Sequence, residues 1–167
     1  MKKIGEIIPQ TITDGKNGET ISTTAVCLTK PISELPTRYE INTPNFYRFR
    51  SLSEFSDRDV KNWLYVNLCQ YVDFAGRKNF IDKELIQVCC NMIYSDLSVR
   101  PSARISVLPY FVNALFSGKH KIYGDITASF IMEIWQQSKV KFDANFELFI
   151  KKMQTENPNV DLDIYYS

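Results

Sequence analysis

The sequence has a single histidine, few cysteines and no long apolar run. One histidine excludes a metal site built on a histidine pair, which removes most zinc hydrolase designs. The four cysteines include no CxxC motif, and adjacent Cys89 and Cys90 point in different directions on a predicted helix. The longest apolar run, residues 105–116, falls short of the roughly 20 residues that span a bilayer. No signal-peptide pattern opens the sequence, so we expect a cytoplasmic protein with reduced thiols and no membrane contact.

Motifs of the common enzyme classes are also missing. There is no Walker sequence, no GxGxxG loop and no EF-hand loop, and no serine or cysteine elbow accompanies His120. Carboxylate pairs such as Asp57 with Asp59, or Asp161 with Asp163, stand in predicted capping or tail contexts, where acids are usually solvated. We therefore expect a protein that is not an enzyme and uses no cofactor or metal.

The charge of the chain is balanced, with 20 lysines and arginines against 19 acids. A net charge of +1 argues against a protein that binds polyanions over its whole surface, although a local patch still can. Residues 98–124 contain no acid, and five basic residues lie within them. These are the candidate nucleic-acid contacts: Arg100, Arg104, Lys119, His120 and Lys121.

The two basic clusters flank the third predicted helix. Its rise predicts that Arg100 and Arg104 lie about 15–20 Å from Lys119 and Lys121, far enough to touch two phosphate positions on a duplex. Alternatively, the two lysines only complement the negative end of the helix dipole. Both interpretations of the turn "SGKHKIYGD" stay open at this point.

The chain divides by composition into three parts. Residues 1–45 are rich in Thr, Ser, Gly and Pro and predict an extended arm, either disordered in part or paired as strands around "DGKNGE". Residues 46–157 predict a helical domain, and 158–167 an acidic, aromatic tail. The fold class is therefore mainly α: a small domain of four or five helices with an N-terminal arm that is extended, partly β or disordered.

Helix boundaries follow from capping residues. Ser56 with Asp59 predicts the start of the first helix, and Asp82 that of the second. Ser106 is the better cap for the third, because Pro109 then lies in the first turn, where it removes no hydrogen bond. Asp125 or Thr127 caps the fourth, and a later apolar stripe either continues that helix or forms a fifth. Predicted stops are Gly76 and Gly118.

Residues 84–137 carry four short motifs, "ELIQVCCNMIY", "ISVLPYFVNALFSGK", "IYGD" and "FIMEIW". In these motifs the chain resembles uncharacterised helical proteins encoded by phages and mobile elements of Bacteroides-type bacteria. The resemblance implies a setting of DNA replication or another DNA transaction. The family pattern has a tyrosine and an arginine-rich helix end where this chain reads "VKFDANFELF", so no basic surface is carried over to that helix.

Two functions are consistent with these patterns. The first is a non-enzymatic accessory protein of a phage or mobile element that binds nucleic acid or a replisome component. The second is a protein-interaction or assembly module that binds no nucleic acid and docks on a partner through the N-terminal arm or the C-terminal tail.

Overall fold

The computed structural model describes residues 10–13, 20–23, 35–75, 82–117 and 126–166. Within them lie two strands and five α-helices, which confirms the mainly α fold class with an arm that is partly β. The elements are β1 (Gln10–Thr13), β2 (Thr20–Thr23), α1 (Asp57–Phe74), α2 (Lys83–Ser98), α3 (Val107–Phe116), α4 (Ala128–Glu156) and α5 (Asp163–Tyr166). The strands pair antiparallel with Ile12 opposite Ile21, and the predicted turn at 14–19 lies outside the described residues.

Side-chain caps set the starts of α1 and α2. The Ser56 hydroxyl accepts the Asp59 N–H at 3.1 Å, as predicted, and satisfies a donor that the helix itself cannot. The Asp82 carboxylate accepts the N–H groups of Glu84 and Leu85. Both predicted starts are confirmed, whereas the predicted stop at Gly76 lies outside the described residues.

Helix α3 is the centre of the domain. It begins at Val107, directly after Ser106, so Pro109 lies in its first turn as predicted. Its ten residues contain no charge, and seven of them are buried: Val107, Leu108, Pro109, Tyr110, Phe111, Val112 and Leu115. Such a helix is stable only when other elements cover it on almost every side.

Helix α4 provides the longest of those covering surfaces. It runs for 29 residues, about 43 Å, so the later apolar stripe continues the fourth helix and forms no separate one. Thr127 caps it by accepting the Phe130 N–H at 3.2 Å, while Asp125 lies outside the described residues. Fully buried Trp135 meets Phe111 of α3 edge to face, with ring centroids 5.4 Å apart.

The segments on either side of the helices pack into the same core. Leu35, Phe46 and Tyr47 are buried, so core packing includes a residue that lies ten positions before the predicted arm boundary at 45. At the other end, the Phe49 N–H donates to the Ile164 carbonyl at 2.8 Å, and Tyr165 is only 4% exposed. The described part of the predicted tail therefore belongs to the folded domain.

We expect Tyr165→Ala to lower the free energy of unfolding by about 3 kcal/mol, since it removes a buried aromatic ring from the core. Ile164→Ala is the matched control, because Ile164 is half exposed and its backbone hydrogen bond to Phe49 survives the change. Its expected cost is below about 1 kcal/mol. Urea denaturation of both variants measures the difference, and equal effects would show that the tail contributes no core packing.

Candidate functional site

Arg100 and Arg104 lie in the turn between α2 and α3 and line a cleft of about 600 Å³, here called the arginine cleft. Arg100 is exposed to solvent. Helices α2 and α4 contribute charges of both signs to the same cleft: Asp96, Lys139 and Asp143. Residues 98–124 contain no acid, but the surface around Arg100 does. Carboxylates distant in sequence lie beside it.

Asp96 is the most strongly bound of these groups. Its carboxylate accepts the indole N–H of Trp135 at 2.7 Å and a hydrogen bond from the Lys139 ammonium. Desolvation raises the pKa of Asp96, but the hydrogen bonds from Lys139 and Trp135 outweigh it and leave that pKa below its ordinary value. Asp96 is consequently ionised at neutral pH and neutralises part of the positive charge of the cleft.

Arg104 is held in a cage of aromatic rings. Its guanidinium carbon lies 4.0 Å from the ring centroid of Phe146, 5.1 Å from that of Phe49 and 5.7 Å from that of Tyr166. Its buried Nη1 has no hydrogen-bond partner among the described residues, and the negative faces of the rings stabilise the cation instead. Desolvation lowers the pKa of Arg104, although Tyr166 and Asp143 oppose the shift. Arg104 thus connects the segment before α1, helix α4 and the C-terminal residues. This role is structural.

The other three predicted contacts, Lys119, His120 and Lys121, lie outside the described residues. Ser117, two positions before Lys119, is exposed and directly follows the last residue of α3. Whether the two predicted basic clusters share a surface stays a prediction, and so does the dipole explanation of the lysines.

A second cleft, of about 530 Å³, lies between α3, α4 and residues 41–47, and is here called the lysine cleft. Its lining includes two lysines, three asparagines and Ser117 over a floor of aliphatic and aromatic side chains, but no carboxylate among the described residues. The polar members are Asn42, Asn113, Ser117, Lys141, Asn145 and Lys152. The cleft therefore includes the end of α3, which the predicted basic turn follows in the sequence.

Helical spacing explains why this cleft lacks acids. The α4 residues of the lysine cleft recur at 141, 145, 148, 149 and 152, on one face of the helix. Those of the arginine cleft are at 136, 139, 140, 142 and 143, and all of them except Phe142 lie on the opposite face. The spacing also directs Asp143 and Glu147 away from the lysine cleft. Neither Lys141 nor Lys152 was predicted from the sequence, because the charges of "VKFDANFELFIKK" are mixed when the stretch is read linearly and separate only when it is read by helix face.

The interior of the lysine cleft is neutral. The Asn145 amide donates to the Tyr110 hydroxyl at 2.6 Å, and the rings of Tyr47 and Phe149 stack with centroids 4.5 Å apart. Burial raises the pKa of Tyr47, and it raises that of Tyr110 against a smaller opposing effect of the bond from Asn145. Both hydroxyls stay protonated at neutral pH, so the ammonium groups of the two lysines are the charges that a ligand meets there.

The two lysines differ in their surroundings. Lys141 is exposed and forms no ion pair with any described residue. Lys152 lies 3.9 Å from Glu156 one turn later, with both side chains largely in solvent. Exposed pairs of this kind contribute little and exchange readily with another anion.

The part of the chain that the structure describes holds no group of three or more His, Cys, Asp and Glu side chains able to bind a metal. None of its helices is long and apolar enough to cross a membrane. Comparison of the chain with protein-family models, curated proteins and solved structures finds no match.

We expect Asp96→Asn to reduce stability by about 1 kcal/mol at pH 7, since it weakens charged hydrogen bonds that are one-third exposed. Because the pKa of Asp96 is lower in the folded state, its contribution is present above the unfolded value near 3.8 and disappears as pH falls through the folded value. The difference between wild type and variant should therefore shrink in acid. Denaturation from pH 7 to 2 measures it. Asp143→Asn, an exposed acid of the same cleft, should change stability by less than about 0.5 kcal/mol throughout.

Proposed function

We propose that this protein is a non-enzymatic accessory protein that binds nucleic acid through the lysine cleft. The observation that supports this function best is the segregation of charge on α4. Lys141 and Lys152 project into a cleft without a lining carboxylate among the described residues, while the acids of the same helix segment lie elsewhere on it. A surface with fixed positive charge and neutral hydrogen-bonding groups suits a phosphate backbone.

The spacing of the lysines suits several consecutive phosphates. Eleven residues separate Lys141 from Lys152, which is three helical turns or about 16 Å along α4. Phosphates on one strand of a duplex repeat about every 3.4 Å along the axis, so the two ammonium groups span about five of them. The amides of Asn42 and Asn113 lie in the same cleft and can donate to phosphate or sugar oxygens.

Further positive charge adjoins the end of α3. The Arg38 guanidinium stacks on Phe116, with its central carbon 4.1 Å from the ring centroid, one residue before Ser117 of the cleft. In the sequence, Lys119, His120 and Lys121 follow shortly after Ser117. This continuity supports the proposal that the predicted basic turn and the lysine cleft form one interface.

Docking through the tail or the arm is the less favoured function. The described part of the tail contributes buried Tyr165 to the core, and Leu35 of the predicted arm is buried as well. A partner that bound these residues would have to remove them from the domain. The narrower setting of phage DNA replication stays a prediction of the resemblance.

Fluorescence anisotropy with labelled single- and double-stranded oligonucleotides tests the interface. We expect the double variant Lys141→Glu, Lys152→Glu to bind at least about 10-fold more weakly and to reduce the slope of log affinity against log salt by about 2, one unit for each phosphate that is no longer neutralised. The double variant Lys83→Glu, Lys151→Glu is the matched control, because it makes the same change of charge at two exposed lysines outside the cleft. Its affinity should stay within about 2-fold of the wild type.

Equal reductions of affinity in the double variant and the control would contradict the proposal, as would affinity that is independent of salt. Arg100→Glu distinguishes the two clefts. If it abolishes binding while the double variant binds normally, the interface is the arginine cleft. If the wild-type chain binds no oligonucleotide, the nucleic-acid function is wrong and the protein-interaction function takes its place.

A further inference from the structure

Four side chains form a continuous cluster at the end of α3, beside the lysine cleft. The guanidinium carbon of Arg38 lies 4.1 Å from the ring centroid of Phe116 and 4.3 Å from that of Tyr39. The ring centroid of Phe74, the last residue of α1, lies 5.1 Å from that of Phe116. These residues, Arg38, Tyr39, Phe74 and Phe116, are here called the aromatic cluster. It connects the ends of α1 and α3 with the short 3-10 helix Arg38–Glu40.

The outer rings of the aromatic cluster stand in solvent. Tyr39 is 77% exposed and Phe74 is 65% exposed, more than any other aromatic side chain that the structure describes. Burial of such rings would be favourable, and aromatic side chains and arginine are enriched where a surface contacts a ligand or partner. The aromatic cluster therefore has the composition of a contact site that the described fold leaves uncovered.

The charge beside these rings favours nucleic-acid bases as the occupant. Arg38 belongs to the cluster and forms no ion pair with a described residue. The neighbouring lysine cleft adds Lys141 and Lys152, and its described lining has no carboxylate. Flat rings beside positive charge match a ligand that carries both flat rings and negative charge. Bases stack on aromatic rings and on guanidinium planes alike.

The aromatic cluster directly adjoins the lysine cleft along the chain. Tyr39 precedes Asn42 of the cleft lining by three positions, and Phe116 directly precedes Ser117. A strand whose phosphates contact the cleft therefore brings neighbouring bases to the cluster. In a duplex those bases are paired and stacked inside the helix, so a single strand presents them and a duplex does not. We propose that the aromatic cluster stacks unpaired bases and that the preferred ligand is a single strand, an inference that rests on the proposed function of the lysine cleft.

Two acids adjoin the aromatic cluster in sequence, Glu40 after Tyr39 and Asp73 before Phe74. Successive side chains point about 100° apart around an α-helix and about 120° apart around a 3-10 helix, so each acid points away from the direction of its aromatic neighbour. The acids lower the positive charge nearby and leave the rings open. We therefore expect the cluster to act through ring contacts, whereas the lysines act through phosphates and respond to salt.

Fluorescence anisotropy with one labelled pyrimidine strand, measured alone and in its duplex, tests the inference. The wild type should bind the single strand at least about 5-fold more tightly than the duplex, the lower end of what one stacked base contributes. Tyr39→Ala and Phe74→Ala should each weaken single-strand binding by at least about 5-fold and change duplex binding by less than about 2-fold. Neither should alter the slope of log affinity against log salt, because neither removes a phosphate contact.

Conservative variants separate the ring from its other properties. Tyr39→Phe keeps the ring but loses the hydroxyl that accepts a hydrogen bond from Arg38, and should bind the single strand within about 2-fold of the wild type. Val66→Ala is the control, because it truncates another exposed apolar side chain of α1 outside the cluster, and it should have no effect. Circular dichroism of each variant monitors helix content.

The outcomes distinguish this inference from the proposed function. If the alanine variants bind the single strand like the wild type, or if they weaken duplex binding equally, the stacking inference is wrong and the phosphate interface of the lysine cleft stands. If the wild type binds no oligonucleotide, the proposed function fails and this inference fails with it. The same fold-losses should appear with an RNA strand of the equivalent sequence, because the rings contact bases, and a loss confined to one sugar contradicts the inference. The relative affinities of the two strands distinguish DNA from RNA as the ligand.

Discussion

The structure depends on the burial of α3. Its ten uncharged residues cannot remain in water, and one neighbouring helix cannot cover them all. Helices α1 and α4 and the segment from Leu35 to Tyr47 therefore pack around it. The Tyr110 hydroxyl of α3, which is partly buried, receives a hydrogen bond from Asn145 of α4. Because α3 is enclosed on most sides, functional groups can stand only at its ends, on the elements around it and on the side where Asn113 lines the lysine cleft.

The same requirement explains the ends of the described domain. Residues 49–51 and 164–166 pack on the turn before α3 through backbone hydrogen bonds and aromatic rings, and they shield it from solvent. Arg104 lies at their meeting point, where one cation contacts rings from three separate segments. A cation in such a cage gains the attraction of each ring only while the segment that carries that ring is in place, so Arg104 links the three segments.

Local signals predicted where the helices begin, but they did not predict which residues from distant parts of the sequence lie beside each other. Ser56, Asp82 and Thr127 act on donors two or three residues away, so their effect is readable in sequence, and Pro109 restricts its own helix in the same local way. The acids beside Arg100 arrive from α2 and α4, and only the packing of three helices brings them there. The burial of Leu35 is equally non-local, since its polar surroundings in sequence resemble those of a linker. Lys141 and Lys152 are intermediate in how far they could be predicted, because the helical period alone is enough to place them on a different helix face from Asp143.

A net charge near zero therefore conceals an uneven distribution. On α4, the helical period sends Asp143 toward the arginines and leaves Lys141 and Lys152 on a face whose described cleft lining has no acid. The arginine cleft compensates its own charge internally through Asp96 and Lys139, so a polyanion would first have to displace a carboxylate there. The lysine cleft has no carboxylate among its described lining residues, and the one described ion pair at its edge, Lys152 with Glu156, is exposed and exchanges readily. In a chain with balanced charge, the surface that attracts an anion is decided by the arrangement of charge on each helix face. The net charge of the chain does not decide it.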